Sequence, residues 1–230
     1  MHDRDFAKPH PFPSLQEYTG VVDLLLAEER WERVRHRPPD DAERLFVANN
    51  LAVTRKESGG DNTGALALME EVMMMMAVVM EDVLSVRRAS LGDEHPQTLD
   101  SIANLALQHS EMGEYDAALP LSEEAVRGMR EGMGPEHEHT LVAVAALGAL
   151  LIHMGRCDEA LPLCEESLEI RVRTLGEGHL ETINSMHLVG RCLCRLGRDG
   201  EGVGLLQKSV ATARRVLGEA HPSTRHFAED

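Results

Sequence analysis

Apolar positions recur at helical spacing through most of the chain, and glycines interrupt them at regular places. Between residues 99 and 106 the apolar side chains fall on one side of a helix, and Gly113 then ends the pattern. A second run, between residues 118 and 129, continues up to Gly134, since glycine readily adopts the left-handed conformation that ends many helices. Pro96 stands where the first helix would begin, a place that needs no backbone N–H. The pattern therefore predicts a helix, a turn, a second helix and a stop.

The same arrangement returns every 42 residues. Three features recur at fixed places, namely a large apolar residue followed by glycine, then a histidine, then a threonine. They are Leu91-Gly92, Met133-Gly134, Leu175-Gly176 and Leu217-Gly218; His95, His137, His179 and His221; and Thr98, Thr140, Thr182 and Thr224. A fixed period of this length is typical of stacked structural units that share one continuous core.

The period divides the chain into units of unequal regularity. We predict a polar segment with a capping helix at 1–38, an irregular first unit with an insertion and a Met-rich helix at 39–90, complete units at 91–132, 133–174 and 175–216, and the truncated start of a further unit at 217–230. Gly200, Gly202 and Gly204 stand where the second helix of the last complete unit begins. Because each glycine in a helix costs up to about 1 kcal/mol relative to alanine, we expect this helix to fray.

A family resemblance rests on one of these units. The stretch from Leu91-Gly92 through His95-Pro96 and Thr98-Leu99 to Asn104-Leu105-Ala106, followed by Gly113, Tyr115 and Ala118, resembles the 42-residue tetratricopeptide units of kinesin light chains and their relatives. The resemblance covers about residues 39–230. It implies an all-α, right-handed α-solenoid of antiparallel helix hairpins. It also implies that the first helices of successive units line a concave groove, in which partners bind as short extended peptides or as helices.

Counting along one face of each first helix gives the residues expected to line this groove. They are Asn49, Asn50 and Lys56 in the first unit, Asn104 and Leu107 in the second, Val142, Ala146 and Ile152 in the third, and Asn184, His187, Arg191 and Arg195 in the fourth. The resemblance implies that Asn50 and Asn104 hydrogen-bond the backbone of a bound peptide. Grooves of this family take peptides with a tryptophan amid acidic residues, and an apolar pocket beside two arginines one helical turn apart is compatible with such a ligand.

A competing interpretation of the groove stays open at this point. The small residues of the third unit, Ala145, Ala146 and Ala149, are also good helix formers that can face the core. The two arginines of the fourth unit can equally form an ordinary solvated face.

Composition and charge narrow the class of partner. The formal net charge of −16 disfavours nucleic-acid backbones and anionic membrane surfaces, because both need a basic footprint. The longest apolar run, residues 72–80, is far shorter than a membrane span. We therefore expect a cytoplasmic protein whose partners are proteins or short linear peptides, with neither nucleic acid nor membrane among them.

Residue types that often carry chemistry have structural interpretations here. The repeated histidines belong to the repeat itself and are expected to serve the junctions between units. Cys157 and Cys164 are expected to pack as small apolar residues, and a zinc site at Cys192 and Cys194 would need histidines brought from elsewhere in the chain. The glycines near residue 200 do not match a phosphate-binding loop, because no predicted strand precedes them. We predict no catalytic residue, no metal site and no cofactor.

The sequence predicts a non-catalytic scaffold or adaptor that binds short peptides in its groove. The alternative is a structural spacer or self-association segment of a larger signalling or transport protein. Met69, Met73, Met76 and Met80 form one apolar stripe on a predicted helix, and such a stripe either packs against a neighbouring helix or binds a partner. Self-association would use this Met-rich helix or the unfinished C-terminal repeat.

Overall fold

A computed structural model describes residues 28–33, 35–36, 47, 51 and 62–229 of the chain. The contacts divide the chain into two units, residues 1–79 and residues 80–230. Within the described ranges the regular elements are helices, and no strand occurs. None of the helices in these ranges has the length and apolar character needed to cross a membrane.

Helix α1, Asn62–Leu91, is 30 residues long and contains the Met-rich segment. The side chain of Met69 lies outside the described residues. Met76 is exposed, whereas Met73 and Met80 are half-buried. The predicted stripe is thus partly buried and partly accessible.

Three helix hairpins of equal dimensions follow α1. Their first helices are 16 residues long and their second helices 19, and a short helix follows the third hairpin. The helices are α2 (Pro96–Glu111), α3 (Tyr115–Met133), α4 (Glu138–His153), α5 (Cys157–Leu175), α6 (Leu180–Arg195), α7 (Asp199–Leu217) and α8 (Pro222–Glu229). The predicted all-α solenoid of antiparallel hairpins is confirmed. The exact unit boundaries assigned from the sequence stay a prediction.

The repeated histidine is the N-cap of each first helix, which explains why it recurs. In every case the imidazole Nδ1 accepts a hydrogen bond from the backbone N–H two residues further on, at 3.2 Å for His95 and His221 and 3.3 Å for His137 and His179. An N-cap acceptor satisfies one of the four N–H groups that a helix leaves unpaired at its start. The expectation that these histidines serve the junctions is therefore confirmed.

Glycines with positive φ end the helices as the sequence predicts. Within the second hairpin, Gly155 makes the turn between the two helices with φ 76°, and Gly176 ends the hairpin with φ 82°. A residue with a Cβ is strained in this region, which is why glycine recurs at both places.

The glycines of the third hairpin behave differently from the prediction. Helix α7 begins at Asp199 and continues through Gly200, Gly202 and Gly204 without a break, so the expectation of a frayed start is wrong. A Cβ on Gly202 would lie 2.8 Å from the carbonyl oxygen of Gly190, on α6. The missing side chain therefore lets α6 and α7 approach closely, and this tight packing offsets the low helix propensity.

Candidate interaction groove

The first helices of two successive hairpins, α2 and α4, border a cavity of about 410 Å³. Its lining comes from both helices and from one residue of α3, and comprises Asp100, Ala103, Asn104, Leu107, Met129, Glu138, His139, Val142, Ala143 and Ala146. Four of the predicted groove residues are among them: Asn104, Leu107, Val142 and Ala146. The structure thus brings the predicted residues of the second and third units to one place, apart from Ile152.

Apolar side chains make up much of the lining of this cavity. Leu107 is 48% exposed and Val142 is 49% exposed, although both are large aliphatic residues. Met129 and Ala143 are buried beneath them, and Ala146 is half-buried. Accessible aliphatic side chains above a buried apolar floor can receive an apolar group of a ligand.

Exposed polar side chains also line the same cavity. The side chain of Asn104 is exposed and carries both a donor and an acceptor. His139 Nδ1 lies 2.8 Å from Asp100 Oδ1, so the ring donates to the carboxylate and links α4 to α2. Glu138 precedes His139 in the first turn of α4 and is exposed.

The predicted residues of α6 lie outside the lining of this cavity. Asn184 and Arg191 are half-buried, and the Asn184 amide is 3.5 Å from Glu181 Oε1. Arg195 is exposed, and its Nη1 donates to the carbonyl oxygen of Ile152 at 3.2 Å. The Arg195 guanidinium therefore satisfies a carbonyl near the C-terminus of α4, as basic side chains often do at helix ends.

Two predicted groove residues are buried, so their assignment is wrong. Ile152 is fully buried in the core, and His187 is only 3% exposed. The His187 ring packs against the ring of Phe227 of α8, with 5.0 Å between their centroids. The other predicted groove residues, Asn49, Asn50 and Lys56, lie outside the described residues.

The face count that gives Asn104 also includes Asp100, but it does not give two further polar residues of the cavity, Glu138 and His139. A sequence signal for these two exists, because both follow the histidine cap His137 in the first turn of α4. His139 of this turn contacts Asp100 of the preceding first helix, and both Glu138 and His139 line the cavity.

Three of the four cysteines form a buried cluster between α5 and α6. Cys157, Cys164 and Cys192 are buried, which confirms the expectation that Cys157 and Cys164 pack in the core. The Cys192 thiol hydrogen-bonds Cys164, and this bond together with burial raises the pKa of Cys192. Burial also raises the pKa of Cys157. In the ranges that the structure describes, no three histidine, cysteine or acidic residues are grouped so as to hold a metal ion.

Stacked helix hairpins that present an open cavity on their first helices define a helical-repeat interaction scaffold. Two family models described as tetratricopeptide repeat match the chain, one at residues 138–201 and the other at residues 98–139 and 182–223. Together these matches span residues 98–223. The chain belongs to the tetratricopeptide repeat family, whose members are typically non-catalytic and serve protein–protein interaction.

Solved structures show the same fold at low sequence identity. The "kinesin light chain nearly identical TPR-like repeats" of Podosopora anserina are 22% identical, with a TM-score of 0.53 over 87% of this chain and 90% of that chain. BtubC (BKLC) from P. vanneervenii is 18% identical, with a TM-score of 0.57 over 88% of this chain and 94% of that chain. No curated protein matches the chain.

Proposed function

We propose that this protein is a non-catalytic adaptor that binds short peptide segments in the groove formed by its first helices. The observation that carries the proposal is the 410 Å³ cavity between α2 and α4, where Leu107 and Val142 are accessible above an apolar floor. This volume falls within the range of about 300–1,000 Å³ typical of ligand pockets. It suits one large side chain of a peptide rather than a whole folded partner.

The Asn104 amide supports a peptide as the ligand. It lines the cavity, and one carboxamide can donate to a backbone carbonyl and accept from a backbone N–H. Such bonds are made with the ligand backbone, so they tolerate many side-chain sequences. In this proposal the amide holds the peptide backbone and the apolar cavity selects one side chain. A cytoplasmic location stays a prediction.

The test is a peptide selection on the full chain, followed by titration of the selected peptide. We expect Val142→Ser to weaken binding about five- to tenfold, because burial of the Val142 side chain by the ligand is lost. Val203→Ser on α7 is the matched control, since Val203 is 45% exposed and lies outside the cavity. Equal effects of the two substitutions would remove the support for binding at this cavity.

Self-association is the second candidate function, and exposed apolar residues of α1 favour it. Met74, Met76 and Val78 are all exposed on this helix. A second copy of the chain would bury them. Light scattering on the peptide-binding samples distinguishes the two functions, because it measures the molar mass of the chain in solution. A stable dimer that becomes a monomer on Met76→Ser would support self-association. A monomer that still binds peptide would support the adaptor.

A further inference from the structure

The lining of the cavity between α2 and α4 is acidic. Asp100 and Glu138 are both in its lining, and the lining includes neither lysine nor arginine. The whole chain carries a formal net charge of −16, so the surroundings add to this negative potential. An acidic peptide would meet repulsion here.

The carboxylate of Asp100 is held in place by its neighbour. Its Oδ1 accepts from His139 Nδ1 at 2.8 Å, which leaves the second carboxylate oxygen as an acceptor for a ligand. The Asp100 side chain is 36% exposed and therefore reachable. A carboxylate fixed in this way is preorganised for a cation, because binding costs little further ordering.

The arginines expected to pair with an acidic ligand are elsewhere. Arg191 and Arg195 lie on α6 and outside the cavity lining, and Arg195 already donates to the Ile152 carbonyl. The guanidinium of Arg171 interacts with Glu138 but is only 1% exposed, so an acidic residue placed beside the apolar anchor would meet the carboxylates. Charge complementarity favours the opposite ligand.

We infer that the segment bound in this cavity carries a large apolar residue with a lysine or arginine within two positions of it. The apolar residue occupies the space above Leu107 and Val142, and the cation pairs with Asp100 and Glu138. A lysine or arginine also suits the site because its methylene stem can cover the exposed aliphatic groups while its charge reaches the carboxylates. This inference rests on the proposed function and names the class of peptide that performs it.

The experiment is a positional-scanning peptide array on the full chain. Each peptide has a central leucine, phenylalanine or tryptophan in a glycine-serine background, with lysine, glutamate or serine at each flanking position. We expect lysine-flanked peptides to be retained preferentially, and their advantage over serine-flanked peptides to shrink as salt is raised, because exposed charge pairs are screened.

Variants then locate the charge effect. The double change Asp100→Asn with Glu138→Gln should weaken a lysine-flanked peptide about five- to tenfold, since it removes two charge pairs at the cavity edge. The matched control is Asp116→Asn with Glu131→Gln, which changes the net charge equally at two exposed positions of α3 outside the cavity. We expect this control to bind within about twofold of the unaltered chain.

Other outcomes overturn the inference in distinguishable ways. Preference for glutamate-flanked peptides, with binding lost on Arg191→Gln, would overturn the inference but leave peptide binding intact. Equal retention of peptides with lysine, glutamate or serine beside the central apolar residue would likewise overturn the inference and leave peptide binding intact. Equal weakening by the control variant would assign the effect to overall charge. Failure to retain any peptide would contradict the proposed function as well.

Discussion

Two kinds of junction alternate along the stack, and they differ at a pair of facing positions, of which the one on the second helix is described first. A junction here is the contact between the second helix of one unit and the first helix of the next. At the junctions α1–α2 and α5–α6 this position is an arginine, Arg87 or Arg171. At the junctions α3–α4 and α7–α8 it is Met129 or Ala213, and both are buried.

The arginine junctions are polar and satisfied. Arg171 is only 1% exposed, and it donates to Ser185 Oγ at 2.8 Å and to the Glu181 carbonyl oxygen at 3.3 Å. Glu181 Oε2 lies 3.1 Å from the same guanidinium. Burial lowers the pKa of Arg171, and the charge of Glu181 opposes that shift. Arg87 makes the equivalent bonds to the Gln97 carbonyl and to Ser101 Oγ.

In the apolar junctions, apolar residues stand in place of both the arginine and its serine partner. Across the α3–α4 junction Met129 occurs with Ala143, where the polar junctions have serine. Across the α7–α8 junction Ala213 packs in one cluster with Phe227, Ile183 and Met186. One backbone arrangement thus accepts either chemistry, provided that both partners change together.

The difference also bears on the groove. Met129 and Ala143 form part of the floor of the α2–α4 cavity, so the candidate site sits over an apolar junction. At the next pair of first helices, α4 and α6, the equivalent position holds Arg171, which belongs to a polar junction. The alternation therefore makes successive parts of the groove chemically different.

The largest expected effect comes from placing the polar residue in the apolar junction. Met129→Arg would bury a guanidinium where Ala143 offers no hydroxyl. We expect a loss of about 3–5 kcal/mol in the free energy of unfolding, because a buried charge without its partner is strongly destabilising. Urea denaturation followed by circular dichroism measures the loss.

The control for this change supplies the missing partner. Met129→Arg combined with Ala143→Ser reproduces the pair found at the polar junctions, and we expect it to recover part of the lost stability. A single substitution that costs less than about 1 kcal/mol would show that the junction admits water and that its apolar character is unimportant.

The second prediction reverses the experiment at a polar junction. Arg171→Ala should cost about 3 kcal/mol, because it leaves a cavity and removes the donor that satisfies Ser185 and the Glu181 carbonyl. Arg171→Met with Ser185→Ala should instead stay within about 1.5 kcal/mol of the unaltered chain, since replacing a buried polar pair by apolar residues of similar volume is often neutral.

Thermal and urea denaturation of both variants test this pair of expectations. The informative quantity is the difference between the unfolding free energies of the two variants, rather than either value alone. If the double variant were as unstable as Arg171→Ala, the two kinds of junction would not be interchangeable.

The sequence predicts most of the fold because the signals that determine it are local. Apolar spacing sets the helices, positive-φ glycines such as Gly155 end them, and the period places the next hairpin. The groove is less predictable, because exposure depends on neighbours distant in sequence. His187 is buried because Phe227 packs against it, and counting along one helix face does not include that contact.

Two further features illustrate the same limit. Counting along one face of α4 places Ile152 in the groove, but near the C-terminus of the helix this position lies in the core. Gly202 reads as a weak helix position, and its close approach to Gly190 depends on the neighbouring helix. Sequence patterns therefore predict elements well and the surfaces between them poorly.

The smallest predicted effect concerns a feature that both kinds of junction share. His137 caps the first helix after an apolar junction, and His179 caps the first helix after a polar one, with equal 3.3 Å bonds. Replacing either histidine by alanine should lower stability by about 1 kcal/mol, because an N-cap acceptor is lost. The two losses should be equal if capping is independent of junction chemistry.

Aspartate provides the matched control for each cap, because its carboxylate is a favoured N-cap acceptor and suits the positive end of the helix dipole. We expect His137→Asp and His179→Asp to retain the stability lost in the alanine variants, as measured by urea denaturation. A much larger loss for His179→Ala than for His137→Ala would mean that the cap at the polar junction also positions Glu181, whose N–H donates to the His179 ring and whose carboxylate pairs with Arg171. The cap and the buried arginine would then form one coupled unit rather than two independent devices.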